Sequence, residues 1–138
     1  MSANCPECGA AGCRDKFESM LALEFESPTI FGAVHHITVI CYNIQHPHEF
    51  TEESLAWMRL SLRAIIVDGL SPAELRKQVR KTIKGGVQVK RHAEPSQEPL
   101  TRNWSMTITD IRTENPEGYR EDINAWARSI LKDLNIES

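Results

Sequence analysis

The sequence predicts an all-α protein: a compact bundle of about five helices with an N-terminal zinc knuckle and a long irregular crossing loop. Three observations carry this reading. Apolar residues recur at helical spacing, most clearly in Tyr119, Ile123, Trp126, Ala127, Ile130, Leu131 and Leu134, which make one continuous stripe. Start and stop signals bracket such segments, as where Ser71-Pro72-Ala73-Glu74 reads as a capping box with proline at the first helical position. The chain also opens with Cys5-Pro6-Glu7-Cys8-Gly9, a Cys-x-x-Cys turn of the kind that wraps one tetrahedral metal.

Taken in order, the first helix spans 14–26, with Phe17, Met20, Leu21 and Phe25 near helical spacing. It ends at Ser27-Pro28, because the residue before a proline is pushed out of the helical region. Residues 30–45 are apolar almost all round. The β-branched run Ile37-Thr38-Val39-Ile40 also suits a strand, but the length favours a central helix, which Pro47 stops. Thr51 caps a third helix whose Glu52 and Glu53 complement the dipole; Leu55, Met58, Leu62, Ile65 and Ile66 form its inner face, and Gly69 ends it. The helix opened by Ser71 carries Leu75, Val79 and Ile83 inward and closes at Gly85-Gly86. Residues 87–115, interrupted by Pro95 and Pro99, make the crossing loop, with a short strand expected at 105–111. Asn115-Pro116 opens the last helix.

At 138 residues the chain reads as one domain, 1–138, long enough to bury a core. Apolar content of 41% and charged content of 25% suit a soluble globule, and a net charge of −3 provides no global field toward nucleic acid or membrane. The longest apolar stretch, 30–44, is broken by His35, His36, Thr38 and Asn43 and is too polar to span a bilayer. No secretory signal is visible, so the expected location is the cytoplasm, where four cysteines favour metal or thiol chemistry over disulfides. A Cys5–Cys8 disulfide is the competing reading.

The first two predicted helices are joined by only Ser27-Pro28-Thr29 and should pack antiparallel. The start of the first then lies beside the end of the second, where His46 sits in Gln45-His46-Pro47-His48. Cys5, Cys8, Cys13 and His46 can therefore converge as a three-sulfur, one-imidazole set for Zn2+. Cys41, which suits a core thiol better, and His48 are the substitute ligands. His35 cannot join, since eleven helical residues separate it from His46, about 16 Å at ~1.5 Å per residue. Four protein ligands make a closed, structural shell, whereas a catalytic zinc keeps one position open.

A second constellation is expected midway along the central helix. Glu24 lies opposite His35, on the phase of Thr38, Tyr42 and Gln45, while His36 points to another flank. Glu24 either fixes a buried imidazole for structural reasons or shares a polar pocket with His35, in which case these two are the catalytic candidates. A third feature is the cationic run Arg76, Lys77, Arg80, Lys81, Lys84, Lys90 and Arg91. It could touch phosphates, although no aromatic residue interleaves it to stack bases, and a solvated helix face is the commoner explanation.

With these residues named, the chain resembles a family of small bacterial proteins that carry a domain of unknown function. The resemblance rests on Cys5-Pro6-x-Cys8-Gly9, on Cys13 opening a helix that contains Glu24, and on His35-x-x-Thr38-Val39-x-x-Tyr42-x-x-Gln45-His46-Pro47. Trp104, Thr107, Asp110-Ile111 and Trp126-Ala127 complete it, and Ile40 stands where relatives often carry Asp. It implies that Cys5, Cys8, Cys13 and His46 act together and that His35 matters, and it supplies no substrate. The leading expectation is a zinc-binding helical module that recognises a protein or small-molecule partner. The rivals are a metal- or histidine-dependent enzyme working near His35 and a nucleic-acid-associated protein using residues 76–91.

Overall fold

The computed structural model describes residues 5, 7–71, 73–75, 77 and 103–136. The fold is all-α. Its helices are α1 (Cys13–Glu26), α2 (His35–Gln45), α3 (Glu52–Ile66), the opening of α4 at 73–75, and α5 (Pro116–Asp133). Short 3-10 turns occupy Gly32–Val34, Pro47–Glu49 and Ile108–Asp110. Helices α2, α3 and α5 pack on one another, and α1 lies along α2 with the 108–110 turn against it.

The α5 stripe is the centre of the core. Tyr119, Ile123, Trp126, Ala127, Ile130 and Leu131 are all buried, and Leu134 is partly so. Asn115 caps the helix by accepting the Gly118 N–H at 2.7 Å, with Pro116 in the first turn. In α3, Thr51 Oγ1 accepts the Ser54 N–H at 3.2 Å, and Leu55, Met58 and Leu62 face inward. Ile65 and Ile66, expected on that face, are only half-buried. The helix stops as expected at Gly69, whose φ of +73° lets the Leu70 N–H fold back to the Ala64 carbonyl at 3.1 Å. Ser71 starts α4, its hydroxyl accepting the Glu74 N–H at 3.1 Å. The remainder of that helix, and the cationic run apart from the exposed Lys77, lie outside the described residues.

Three expectations are corrected. The central helix begins at His35, not near residue 30, so His35 and His36 open α2 instead of lying midway along it. The cause is the path over the end of α1. The Ser27 carbonyl collects the N–H groups of Ile30, Phe31 and Gly32 at 3.1, 2.9 and 2.9 Å. Gly32 then sits so close that a Cβ would fall 2.7 Å from the Glu24 carbonyl oxygen. Only after that turn is the chain free to start a helix. Second, residues 105–111 form no strand: Thr107 and Asp110 cap each other reciprocally, the Thr107 N–H reaching Asp110 Oδ2 at 2.9 Å, and close a 3-10 turn. Third, Phe25 is 68% exposed, and the inward phase of α1 runs through Cys13, Met20 and Glu24.

The segment after residue 103 runs antiparallel along α5 and is stapled at two places. Asp133 accepts the Ser105 N–H at 2.8 Å and its hydroxyl at 2.7 Å. Asp122 takes the Arg112 guanidinium in a two-pronged contact at 2.9 and 3.0 Å, plus the Arg112 backbone N–H at 2.8 Å. Hydrogen bonding from the Arg112 side chain, then its backbone N–H, holds the Asp122 carboxyl below its ordinary value. A carboxyl lowered by folding contributes stability above its unfolded pKa, about 3.9, and loses it as pH falls through the folded value. Asp122→Asn is therefore expected to lower Tm at neutral pH. Thermal melts across pH should show the gap from the parent closing as acid protonates Asp122.

Candidate metal centre

The N-terminal knuckle is shaped by its own backbone. The Gly9 N–H returns to the Cys5 carbonyl and the Cys5 N–H to the Ala10 carbonyl, both at 2.9 Å. Gly9 and Gly12 take φ of +83° and +75°, left-handed conformations that a side chain would strain, and Gly12 turns the chain into α1 with Cys13 as its first residue. The antiparallel α1–α2 hairpin then brings the end of α2 alongside. Phe17 stacks on Tyr42 with centroids 3.8 Å apart, and Tyr42 stacks on His46 at 4.0 Å. The Glu7 carboxylate accepts the His48 backbone N–H at 2.9 Å, a second tie between the knuckle and the chain beyond α2.

The result is that one ligand atom from each of Cys5, Cys8, Cys13 and His46 lies within 4.8 Å of the others. Around a tetrahedral zinc with bonds of about 2.3 Å, neighbouring sulfurs stand roughly 3.8 Å apart, so small inward movements would close such a shell. His46 Nδ1 lies 2.7 Å from the Tyr42 carbonyl. A carbonyl only accepts, so Nδ1 carries the proton and Nε2 keeps the lone pair a metal needs. This is the outer support that metal-ligating histidines commonly have.

The thiols interact strongly. Burial pushes Cys8 up to about 12, with the Cys13 and Cys5 thiols adding to the rise. Burial also raises Cys13. At Cys5 burial works in the same direction, but the backbone N–H groups of Cys8 and Glu7 and the Cys13 thiol outweigh it and lower the pKa. Without a cation, one thiolate discourages its neighbours; a bound metal ion reverses that balance. Burial, helped by the charge on Cys13, also raises the Tyr42 phenol to about 12 and keeps it neutral beside the cluster.

Neither substitute ligand belongs to this group. Cys41 is wholly buried and outside the group, with a pKa that burial drives well above the ordinary thiol value. His48 contributes its backbone N–H, not its ring, to the tie with Glu7. All four cysteines are free, so the Cys5–Cys8 disulfide is not formed.

At the other end of the hairpin the expected Glu24–His35 contact is present. Glu24, only 1% exposed, accepts from His35 Nδ1 at 2.8 Å through one oxygen and from Thr38 Oγ1 at 2.7 Å through the other. The Tyr119 hydroxyl donates to that second oxygen as well. Burial and then the Glu24 bond raise the Tyr119 phenol. Sequence reasoning missed Tyr119 as a partner, because its position in the α5 stripe marks it as apolar core. Thr38 shares the phase of His35 in the sequence, but only the structure pairs it with Glu24.

His35 is not enclosed. Its side chain is 31% exposed, flanked by Phe25 at 5.3 Å and His36 at 6.0 Å between ring centroids. Tyr42 and Gln45, expected around it, lie elsewhere. Tyr42 belongs to the metal end, and Gln45 bridges the Met106 carbonyl at 2.8 Å and the Trp126 indole N–H at 3.1 Å.

Fold and site together define a small all-α protein with a Cys3His cluster that could hold one metal ion. Residues 3–135 match DUF5946, a family of unknown function, and the chain belongs to that family. No curated protein and no solved structure gives a significant match. Among the described residues no helix is long and apolar enough to cross a membrane.

Proposed function

We propose that Cys5, Cys8, Cys13 and His46 hold one Zn2+ as a structural staple across the open end of the α1–α2 hairpin, in a helical module whose task is to recognise a protein or small-molecule partner. The observation that carries this is the mutual approach of the four ligand atoms within 4.8 Å. Three thiolates with one imidazole suit zinc, and four protein ligands leave no position for substrate. The metal then stabilises the hairpin and performs no chemistry, and binding is the task this reading gives the module. Elemental analysis of purified protein is expected to find one zinc per chain, and cobalt substitution should produce the visible bands of a tetrahedral sulfur site. Absence of stoichiometric metal, with none taken up on addition, would sink the reading.

The exposure of His35 supports a second reading. An imidazole oriented by a buried carboxylate at Nδ1 turns Nε2 away from that carboxylate, the arrangement of a general base. Thermal-shift screening of wild type and His35→Gln against one set of compounds separates the two readings. Loss of a ligand's effect in a variant with unchanged Tm supports a functional His35; equal responses leave the imidazole structural.

A further inference from the structure

The three sulfur ligands differ in access. Cys8 and Cys13 are 3% and 7% exposed, while Cys5 is only partly buried, at the outer edge of the cluster. All three come from one nine-residue stretch, and only His46 reaches them from α2. The knuckle's backbone bonds, Gly9 to Cys5 and Cys5 to Ala10, involve no metal and keep Cys5 and Cys8 paired in one turn if the metal leaves. Opening that end would leave the far end of the hairpin held, because Glu24 is bonded to Thr38 and Tyr119 independently of the cluster.

We propose that Cys5 and Cys8 are a modification site for hydrogen peroxide, at which oxidation to a disulfide expels the metal and releases the start of α1 from the end of α2. This rests on the zinc reading above. The Cys5 thiolate attacks one peroxide oxygen; the O–O bond breaks, hydroxide leaves, and Cys5 becomes a sulfenic acid. The Cys8 thiolate then attacks that sulfur, the S–S bond forms, the S–O bond breaks and a second hydroxide departs. The two sulfurs give two electrons to the peroxide, and the two hydroxides take two protons from solvent. The zinc, left with Cys13 and His46, dissociates as its aqua ion. Cys41, wholly buried, is not oxidised.

The test uses the full-length zinc-loaded protein, titrated with hydrogen peroxide in the presence of a colorimetric zinc indicator. One zinc is expected to be released for each disulfide formed. Peptide mass mapping should place that disulfide at Cys5–Cys8 with Cys41 still alkylatable, and a dithiol reductant should restore zinc uptake. Hydrogen exchange should rise in the first turn of α1 and the last turn of α2 and stay unchanged around Glu24. Zinc that is present but retained under peroxide overturns the switch and leaves the structural metal intact. Release with irreversible sulfinic acid, or with a bond to Cys13 in place of Cys8, also overturns it. Protein that neither contains nor takes up zinc overturns both proposals.

Discussion

Cys8→Ser is expected to lose the metal and to detach the N-terminal knuckle from the α1–α2 hairpin, with the largest fall in stability of any single change at the cluster. Cys8 is the most buried of the three clustered cysteines, and the serine hydroxyl that replaces it is a poor zinc donor. A ligand bound only by the folded state stabilises it by roughly 4 kcal/mol when present at a thousand times its Kd, and structural zinc commonly binds more tightly than that. Metal content and Tm, measured together with and without a chelator, should show the variant insensitive to chelation and close to the chelated parent. Cys41→Ala is the contrast. It removes one buried heavy atom outside the cluster, so it is expected to cost about 1 kcal/mol and to keep its zinc. Equal zinc loss in the two variants would mean that the shell is assigned wrongly.

Glu24→Ala is the second large effect, and it acts at the opposite end of the same hairpin. The carboxylate is 1% exposed and joins α1 to α2 through His35 and Thr38 and to α5 through Tyr119. Its loss leaves a cavity and a fully buried Tyr119 hydroxyl whose hydrogen bond was to Glu24. Each buried hydroxyl left without its acceptor costs about 1–3 kcal/mol, and the cavity adds to that. Tyr119→Phe removes only one of three donors and should cost about 1–1.5 kcal/mol. Thr38→Val should cost less than Glu24→Ala, because Glu24 keeps two other donors. Denaturant midpoints give this order directly, and a Tyr119→Phe as damaging as Glu24→Ala would contradict the shared role of the three donors. Zinc content should be unchanged in all three variants, which separates this network from the metal cluster.

Much of the architecture was legible because its signals are local. The stripe from Tyr119 to Leu131 is inward-facing in the structure because a 3.6-residue period puts those side chains on one side of any helix, whatever it packs against. Thr51, Ser71, Gly69 and Asn115 act where expected because caps and stops satisfy the backbone within a few residues. The convergence of Cys5, Cys8 and Cys13 with His46 was also readable, since a short connection forces two helices antiparallel and their ends together.

Other features depended on neighbours far along the chain. Hydrophobicity favoured Phe25 for the inner face of α1, yet Glu24 occupies it. A buried carboxylate is tolerable only where donors are waiting, and one of them, Tyr119, is 95 residues distant. The late start of α2 reflects the contact of Gly32 with the Glu24 carbonyl, an encounter between two elements that no periodicity encodes. The turn at 108–110 in place of a strand likewise follows from Thr107 and Asp110 capping each other, with the flanking chain tied to α5 through Asp122 and Asp133. Residue type and spacing alone specify the helices, their caps and the Cys5-Cys8-Cys13 knuckle, because each is a short-range consequence of the local chain. Which polar side chains could be buried depended on tertiary contacts, because desolvation is offset only by partners that folding brings into reach.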